Sequence, residues 1–245
     1  MSRLRPASPP GRGSGAQARA LQAIVFDFDG VIADSEPLHL RAFQQALAEE
    51  GIELTRQEYF ARYLGYDDVG MIEALARDRE LGLSDRHITA LVARKGAKLQ
   101  EMLHAGSVLF PGAREFIRDA AAAVPIGIAS GALRHEIDEI VEAAGITALF
   151  TAIVAAGDTP ESKPSPAPYL LAFERLRERT GADLDPRRSV AIEDSRWGLV
   201  SAHGAGLRCV GVTTSYPAHE LDGAELIVEG LEALSLPLLD RLVAS

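Results

Sequence analysis

The sequence predicts an α/β protein built on a parallel sheet, covered by helices on both faces and interrupted after its first strand by a helical module. Three observations predict it. Five short apolar runs (Ala23 to Phe28, Ile126 to Ala129, Ala152 to Ala156, Ser189 to Ile192 and Leu207 to Val212) are separated by long helical stretches, the alternation that gives a parallel sheet. From about Pro37 to Ser107 the alternation stops and the pattern is helical throughout. Four of the five runs lead into residues able to do chemistry, which such a sheet gathers at the carboxyl edge, where ligands bind.

Taken in order, residues 1–20 form a leader rich in Arg, Gly, Pro, Ser and Ala, without one acidic residue or any apolar periodicity. This composition predicts disorder. It lacks the amphipathic spacing of a transit peptide, and Gly11-x-Gly13-x-Gly15 follows no strand, so it is not a dinucleotide-binding turn. Residues 21–36 and 108–245 are assigned to the α/β core and 37–107 to the module. Within the module, Leu38, Phe43, Leu47, Ile72, Leu75, Leu91, Leu99, Met102 and Leu103 recur at three- and four-residue spacings, the stripe of a helical bundle core. Gly51, Gly65, Gly82 and Gly106 punctuate it. Past Ser215, Glu225 to Val228 is expected to add an edge strand, and Leu231 to Val243 to form a terminal helix interrupted at Pro237.

Composition narrows the function. With 47% hydrophobic and 24% charged residues and no apolar run approaching the roughly 18 residues of a membrane span, the chain reads as soluble. A formal charge of −10 argues against general nucleic-acid affinity, but not against a small phosphorylated metabolite gripped by local cations and a metal. The single cysteine, Cys209, rules out an intramolecular disulfide and sits in an apolar strand, as a small buried hydrophobe would. A reducing, cytoplasmic setting and a monomer or weak dimer are expected.

The chemistry-bearing residues follow the strands. Asp27 and Asp29, two apart in an extended segment, face the same side, so one can attack as a nucleophile while the other handles protons. Each motif alone has a plainer use: an Asp-x-Asp solvates a turn, Ser130-Gly131 marks a turn, Lys163 between prolines is a solvated loop lysine, and Glu193-Asp194 caps the helix beginning at Ser195. In sequence order they are less readily dismissed. Asp27-x-Asp29, Ser130-Gly131, Lys163 and Glu193-Asp194 together resemble the haloacid dehalogenase superfamily, in particular the branch of β-phosphoglucomutase, phosphoglycolate phosphatase and related sugar-phosphate phosphatases. The resemblance runs from about Leu21 to the C-terminus. It implies a Rossmann-like core with a helical cap inserted after the first strand, over residues 37–107.

The resemblance also implies roles. Asp27 is then the nucleophile that becomes an aspartyl-phosphate, Asp29 the general acid and base, and Lys163 the partner of nucleophile and phosphate. Ser130 and Gly131 hold the transferring phosphoryl group at a helix start. Mg2+ is held by Asp27, Glu193, Asp194 and the backbone carbonyl of Asp29, a mix of hard oxygens that suits this ion. In the cap, His39 and Lys95 match substrate-contacting positions of β-phosphoglucomutase-like members. Arg134, four residues past Ser130, is a further candidate phosphate contact. Asp68 stands where such a mutase carries an arginine for a distal phosphate. His203, Trp197, Arg187 and Arg188 have no partner at a mechanistic spacing and are assigned to packing or surface. The expected function is a Mg2+-dependent phosphatase of a small sugar or organic acid phosphate. Two alternatives stay open: a β-phosphoglucomutase-type sugar phosphomutase and a catalytically silent phosphometabolite-binding protein. A halocarboxylic acid dehalogenase has no call for Asp29, Glu193 and Asp194.

Overall fold

The protein is described here from a computed structural model covering residues 19–64, 66–105 and 108–244. The expected disorder of the leader, apart from its last two residues, and the punctuating roles of Gly65 and Gly106 therefore lie outside the described residues. Six strands, β1 (Ala23–Phe26), β2 (Ile126–Ala129), β3 (Ala152–Val154), β4 (Ser189–Glu193), β5 (Arg208–Val212) and β6 (Leu226–Val228), form one sheet in the order β3-β2-β1-β4-β5-β6. All five pairings are parallel, with Ile24 of the central strand aligned to Ile126 on one side and Val190 on the other.

Side chains alternate across the strands, and the two faces differ in bulk. Ile24, Phe26, Ile128, Ile192 and Val210 pack on one face against α5 (Ala113–Ala121), α6 (Arg134–Ala143) and α9 (Leu236–Ala244). Phe26 meets Phe116 and Phe150 edge-on at 6.1 and 6.4 Å, the offset geometry that aromatic quadrupoles favour. On the other face the smaller Ala23, Val25, Ala129, Ala191 and Cys209 admit α7 (Ala167–Thr180) and α8 (Arg196–Gly204). Cys209 is fully buried there.

Between β1 and β2 the chain forms α1 (Glu36–Ala48), a single turn α2 (Arg56–Glu58) leading into a π-helical turn (Tyr59–Tyr63), α3 (Asp68–Asp78) and α4 (Asp85–Ala105). Their interior is a third cluster that includes Leu40, Phe43, Leu47, Tyr63, Ile72, Leu75 and Leu91. The sequence stripe does not all belong to it. Leu38 of α1 and Leu99 and Leu103 of α4 pack with the sheet-side cluster instead, so both helices are shared between two cores. The chain leaves and re-enters the core through adjacent passages: Asp34 N–H donates to Val108 O at 2.8 Å and Phe110 N–H to Ile32 O at 3.0 Å.

Several boundaries differ from the sequence reading. β1 stops at Phe26, so Asp27 and Asp29 lie in the turn beyond it rather than on an extended strand. β3 ends at Val154, while β4 runs on through Glu193. The terminal helix begins at Leu236 after a separate 3-10 turn (Leu231–Ala233). Pro237 thus sits in its first turn, where a missing N–H costs nothing, and starts the helix rather than breaking it. Ala20, taken as leader, accepts from Arg188 Nε at 2.9 Å and packs against the core. Among the described residues no helix is long and apolar enough to cross a membrane.

Candidate active site

The carboxyl ends of β1, β2 and β4 open into a cavity of about 830 Å³ roofed by α1, α3 and the π-helical turn. Its floor is the turn after β1. Asp27 N–H extends the sheet by donating to Ile192 O at 2.9 Å, which fixes the Asp27 carboxyl beside the end of β4. The chain then reverses at Gly30, whose φ of +79° is in the left-handed region, and a methyl group there would also land on the Asp194 carboxylate. Asp29 points into the same cavity as Asp27, so the two face one space, although by a turn and not by strand alternation.

Lys163 reaches this floor from the loop before α7. Its ammonium donates to Asp27 Oδ1 and to Glu193 Oε1, both at 2.6 Å, and lies 4.9 Å from the Tyr169 ring. Burial works against its charge, but the two carboxylates outweigh burial and raise its pKa. Glu193 is fully buried and saturated with donors. Its Oε1 also accepts from the Tyr169 hydroxyl at 3.0 Å, and its Oε2 accepts from Asp194 N–H, Ser195 N–H and Ser195 Oγ at 3.0 to 3.2 Å. Gly198 leaves the room this requires, since a side-chain carbon there would overlap the Glu193 carboxylate. The cap of α8 is Ser195, whose Oγ accepts from Gly198 N–H at 3.1 Å.

Asp27, Glu193 and Asp194 place carboxylate oxygens within 4.8 Å of one another, and the Lys163 ammonium contacts the first two. Burial pushes the Asp27 pKa well up, Glu193 and Asp194 push it further, and Lys163 opposes them. Asp194 is raised to about 7 by burial and then by Glu193, with hydrogen bonding from Ser215 opposing. Burial raises Asp29 to about 6, against the pull of a short hydrogen bond from Ser35 Oγ.

The opposite wall is the start of α6. Ser130 and Gly131 line the cavity together with Ala132 and Leu133, which lead into the positive end of that helix. Ser130 Oγ accepts from Ala132 N–H at 3.0 Å, and Gly131 has open space where a side chain would stand.

The remaining sequence candidates are placed less centrally. His39 lines the roof of the cavity, and Lys95 lies behind it, 1% exposed, with its ammonium on both Asp68 oxygens at 2.8 and 2.9 Å and on His39 Nδ1 at 3.1 Å. Arg134 turns away from the cavity and donates to Ile153 O at 2.9 Å, with Asp158 at 3.4 Å. Trp197, assigned to packing or surface, is 60% exposed. Sequence reasoning missed Ser35 on Asp29, Tyr169 on Glu193, and the Glu36 and Glu136 carboxylates in the cavity wall. None stands at a motif spacing, although Ser35 and Glu36 follow Asp29 by six and seven residues and Glu136 follows Ser130 by six.

Burial and then the Lys95 ammonium lower the His39 pKa from 6.5 to about 4, Asp68 opposing. The unfolded chain therefore takes up a proton first as pH falls, so stability present above pH 6.5 is lost on the way to about pH 4, on the order of 3 kcal/mol. In urea unfolding at pH 6.5 and 4.5, His39→Asn should lose much less stability than wild type between the two values. Equal losses would show that the imidazole is not what makes the fold acid-sensitive.

With this geometry in view, known proteins are informative. The family model described as haloacid dehalogenase-like hydrolase matches residues 24–212. Protein CbbY of Rhodobacter capsulatus is 34% identical over 206 residues, which are 80% of this chain and 87% of that protein. A phosphoglycolate phosphatase of Yersinia pestis is 28% identical over 204 residues, 81% of this chain and 83% of the enzyme. The crystal structure of CbbY from Rhodobacter sphaeroides in complex with phosphate superposes with a TM-score of 0.73 at 30% identity, covering 88% of this chain and 96% of that one.

Proposed function

The chain belongs to the haloacid dehalogenase-like hydrolases, and from that premise we propose that it is a Mg2+-dependent phosphatase hydrolysing a small phosphate monoester through an aspartyl-phosphate. The observation that carries the reading is the pairing of Asp27 with the largely covered Lys163 on the floor of a cavity whose far wall is a helix N-terminus. A phosphate monoester seated there meets a nucleophile, a fixed cation and backbone donors at once.

Asp27 attacks phosphorus in line, and Lys163 orients its carboxylate while offsetting charge on the incoming group. Ser130 and the backbone at Gly131 hold the phosphoryl oxygens. Asp29, with a pKa near 6, is partly protonated close to neutral pH. It donates to the departing alkoxide and then takes a proton from the water that hydrolyses the aspartyl-phosphate. The helical segment 37–107 serves as the cap: it roofs the cavity and excludes bulk water.

The floor fits a hard divalent cation. Its donors are carboxylate oxygens, and they outnumber the one ammonium among them, so Asp27 and Asp194 would hold Mg2+ with Glu193 beside them and the Asp29 carbonyl completing the set. Bound there, the ion supplies the positive charge that lets an anionic nucleophile approach a phosphate dianion.

The test is phosphate release from p-nitrophenyl phosphate and a panel of sugar and organic acid phosphates, with Mg2+ and with EDTA. Turnover should require the ion; equal turnover in EDTA would sink the metal assignment. In Asp29→Asn, single-turnover phosphorylation by an alkyl phosphate should slow by about 10²–10⁴-fold, and by less for p-nitrophenyl phosphate, whose phenolate departs with little protonation. Equal slowing of the two would give Asp29 another role.

A further inference from the structure

Resting on that phosphatase reading, we propose that the cap selects a polyhydroxylated leaving group carrying no negative charge, so that bisphosphates and organic acid phosphates are rejected. Among the described residues lining the cavity, Lys163 is the only lysine or arginine, and it lies on the floor with Asp27. The wall around the leaving group instead presents the carboxylates of Glu36, Asp67 and Glu136, together with Asp68, whose charge is met by Lys95.

The nearby cations are not available to a second anion. Lys95 is buried, with both Asp68 oxygens on its ammonium and the Phe43 ring 4.9 Å away. Arg134 is turned to Ile153 O. His39, held neutral above about pH 4, adds no charge. A carboxylate or second phosphate on the leaving group would face this acidic wall in a partly desolvated space, where like charges repel more strongly than in water.

The same wall suits hydroxyl groups. Glu36 accepts from the Tyr59 hydroxyl through Oε1, and Glu136 accepts from Leu133 N–H at 3.2 Å through Oε2. Each has a second oxygen with no hydrogen bond among the described residues, that of Glu136 facing His39 Nε2 at 3.9 Å, and such an oxygen can be used only by a donor. Phe43, Tyr59 and Tyr66 add the apolar surface against which the C–H face of a sugar or polyol packs. Asp68 is the decisive residue, because it ties up the ammonium that would otherwise serve an anion.

The test is kcat/KM of the wild type with Mg2+ for glucose 6-phosphate and glucosamine 6-phosphate against 6-phosphogluconate, phosphoglycolate and glucose 1,6-bisphosphate. The first two should exceed the last three by at least ~10-fold; parity, or preference for any of the three, overturns the proposal. Asp68→Asn frees Lys95 and should shift the ratio toward the anionic esters. Should that variant fail to fold, Glu136→Gln should shift it in the same direction. An unmoved ratio in the folded variants also counts against the proposal. p-Nitrophenyl phosphate separates the two levels of inference. If it and every other ester are inert, the phosphatase reading fails, and calorimetric binding still tests the wall. Glucose 6-phosphate binding more tightly than glucose 1,6-bisphosphate supports the selection, whereas the reverse order, or binding of neither, overturns it.

Discussion

Asp27→Asn should lower kcat toward any phosphate monoester by at least ~10⁴-fold, the scale on which removal of an attacking group acts when the rest of the site is left in place. The fold should survive the change. In the absence of metal the charged Asp27 side chain is an electrostatic cost, since burial and the neighbouring Glu193 and Asp194 raise its pKa. A group whose folded pKa is raised loses its stabilising contribution as pH rises, whereas a neutral amide does not titrate and still offers Lys163 an oxygen. The variant should therefore melt no lower than wild type in EDTA and gain less from added Mg2+. Residual turnover above one part in a hundred, with deamidation excluded by mass spectrometry, would remove the covalent route.

Lys163→Met should cost both activity and stability. The ammonium bonds Asp27 and Glu193 at 2.6 Å each and is itself only 15% exposed, and methionine of similar length restores none of that charge. Breaking a buried pair from one side leaves uncompensated carboxylates, a loss of about 3–5 kcal/mol. For a chain of this size that corresponds to a fall of very roughly 6–20 °C in Tm. Added Mg2+ should recover part of the fall, because it neutralises the same carboxylates, but not the turnover. A variant melting within 2 °C of wild type in EDTA would mean that the Asp27, Glu193 and Lys163 contacts contribute little to the fold.

Much of this architecture was legible in the sequence because it is written in local periods. The central strands appear as short apolar runs, and chain alternation alone sends Asp27, Ser130 and Glu193 to one edge of the sheet. The strand ends were less legible, since nothing in Phe26-Asp27-Phe28-Asp29 distinguishes the last ladder residue from the first turn residue. The grouping of Leu38, Leu99 and Leu103 was misread for a related reason: a helical stripe records that a face is buried, and not against what. Arg134 illustrates the limit most clearly. Its position four residues past Ser130 suggested a phosphate contact, but the carbonyl of Ile153, on a neighbouring strand, lies nearer to hand. Tyr169 reaches the site only through tertiary packing, and Ser35 and Glu136, six residues past Asp29 and Ser130, stand at no motif spacing that records them.

The parallel sheet also bears on the order in which the chain assembles. Ile24 of β1 aligns with Ile126 and Val190, so the central strand emerges from the ribosome long before either of its partners. Non-local pairings of this kind are slow, because the entropy of closing the intervening loop comes before any contact rewards it. The helices between residues 36 and 105 escape that delay: Phe43, Leu47, Ile72, Leu75 and Leu91 meet within one short stretch of chain. Because Asp34 and Val108 are hydrogen-bonded, the ends of that stretch finish side by side. Early collapse of the helices should therefore shorten the effective separation between β1 and β2, so that the segment roofing the finished cavity would also be the clasp that brings the first two strands together.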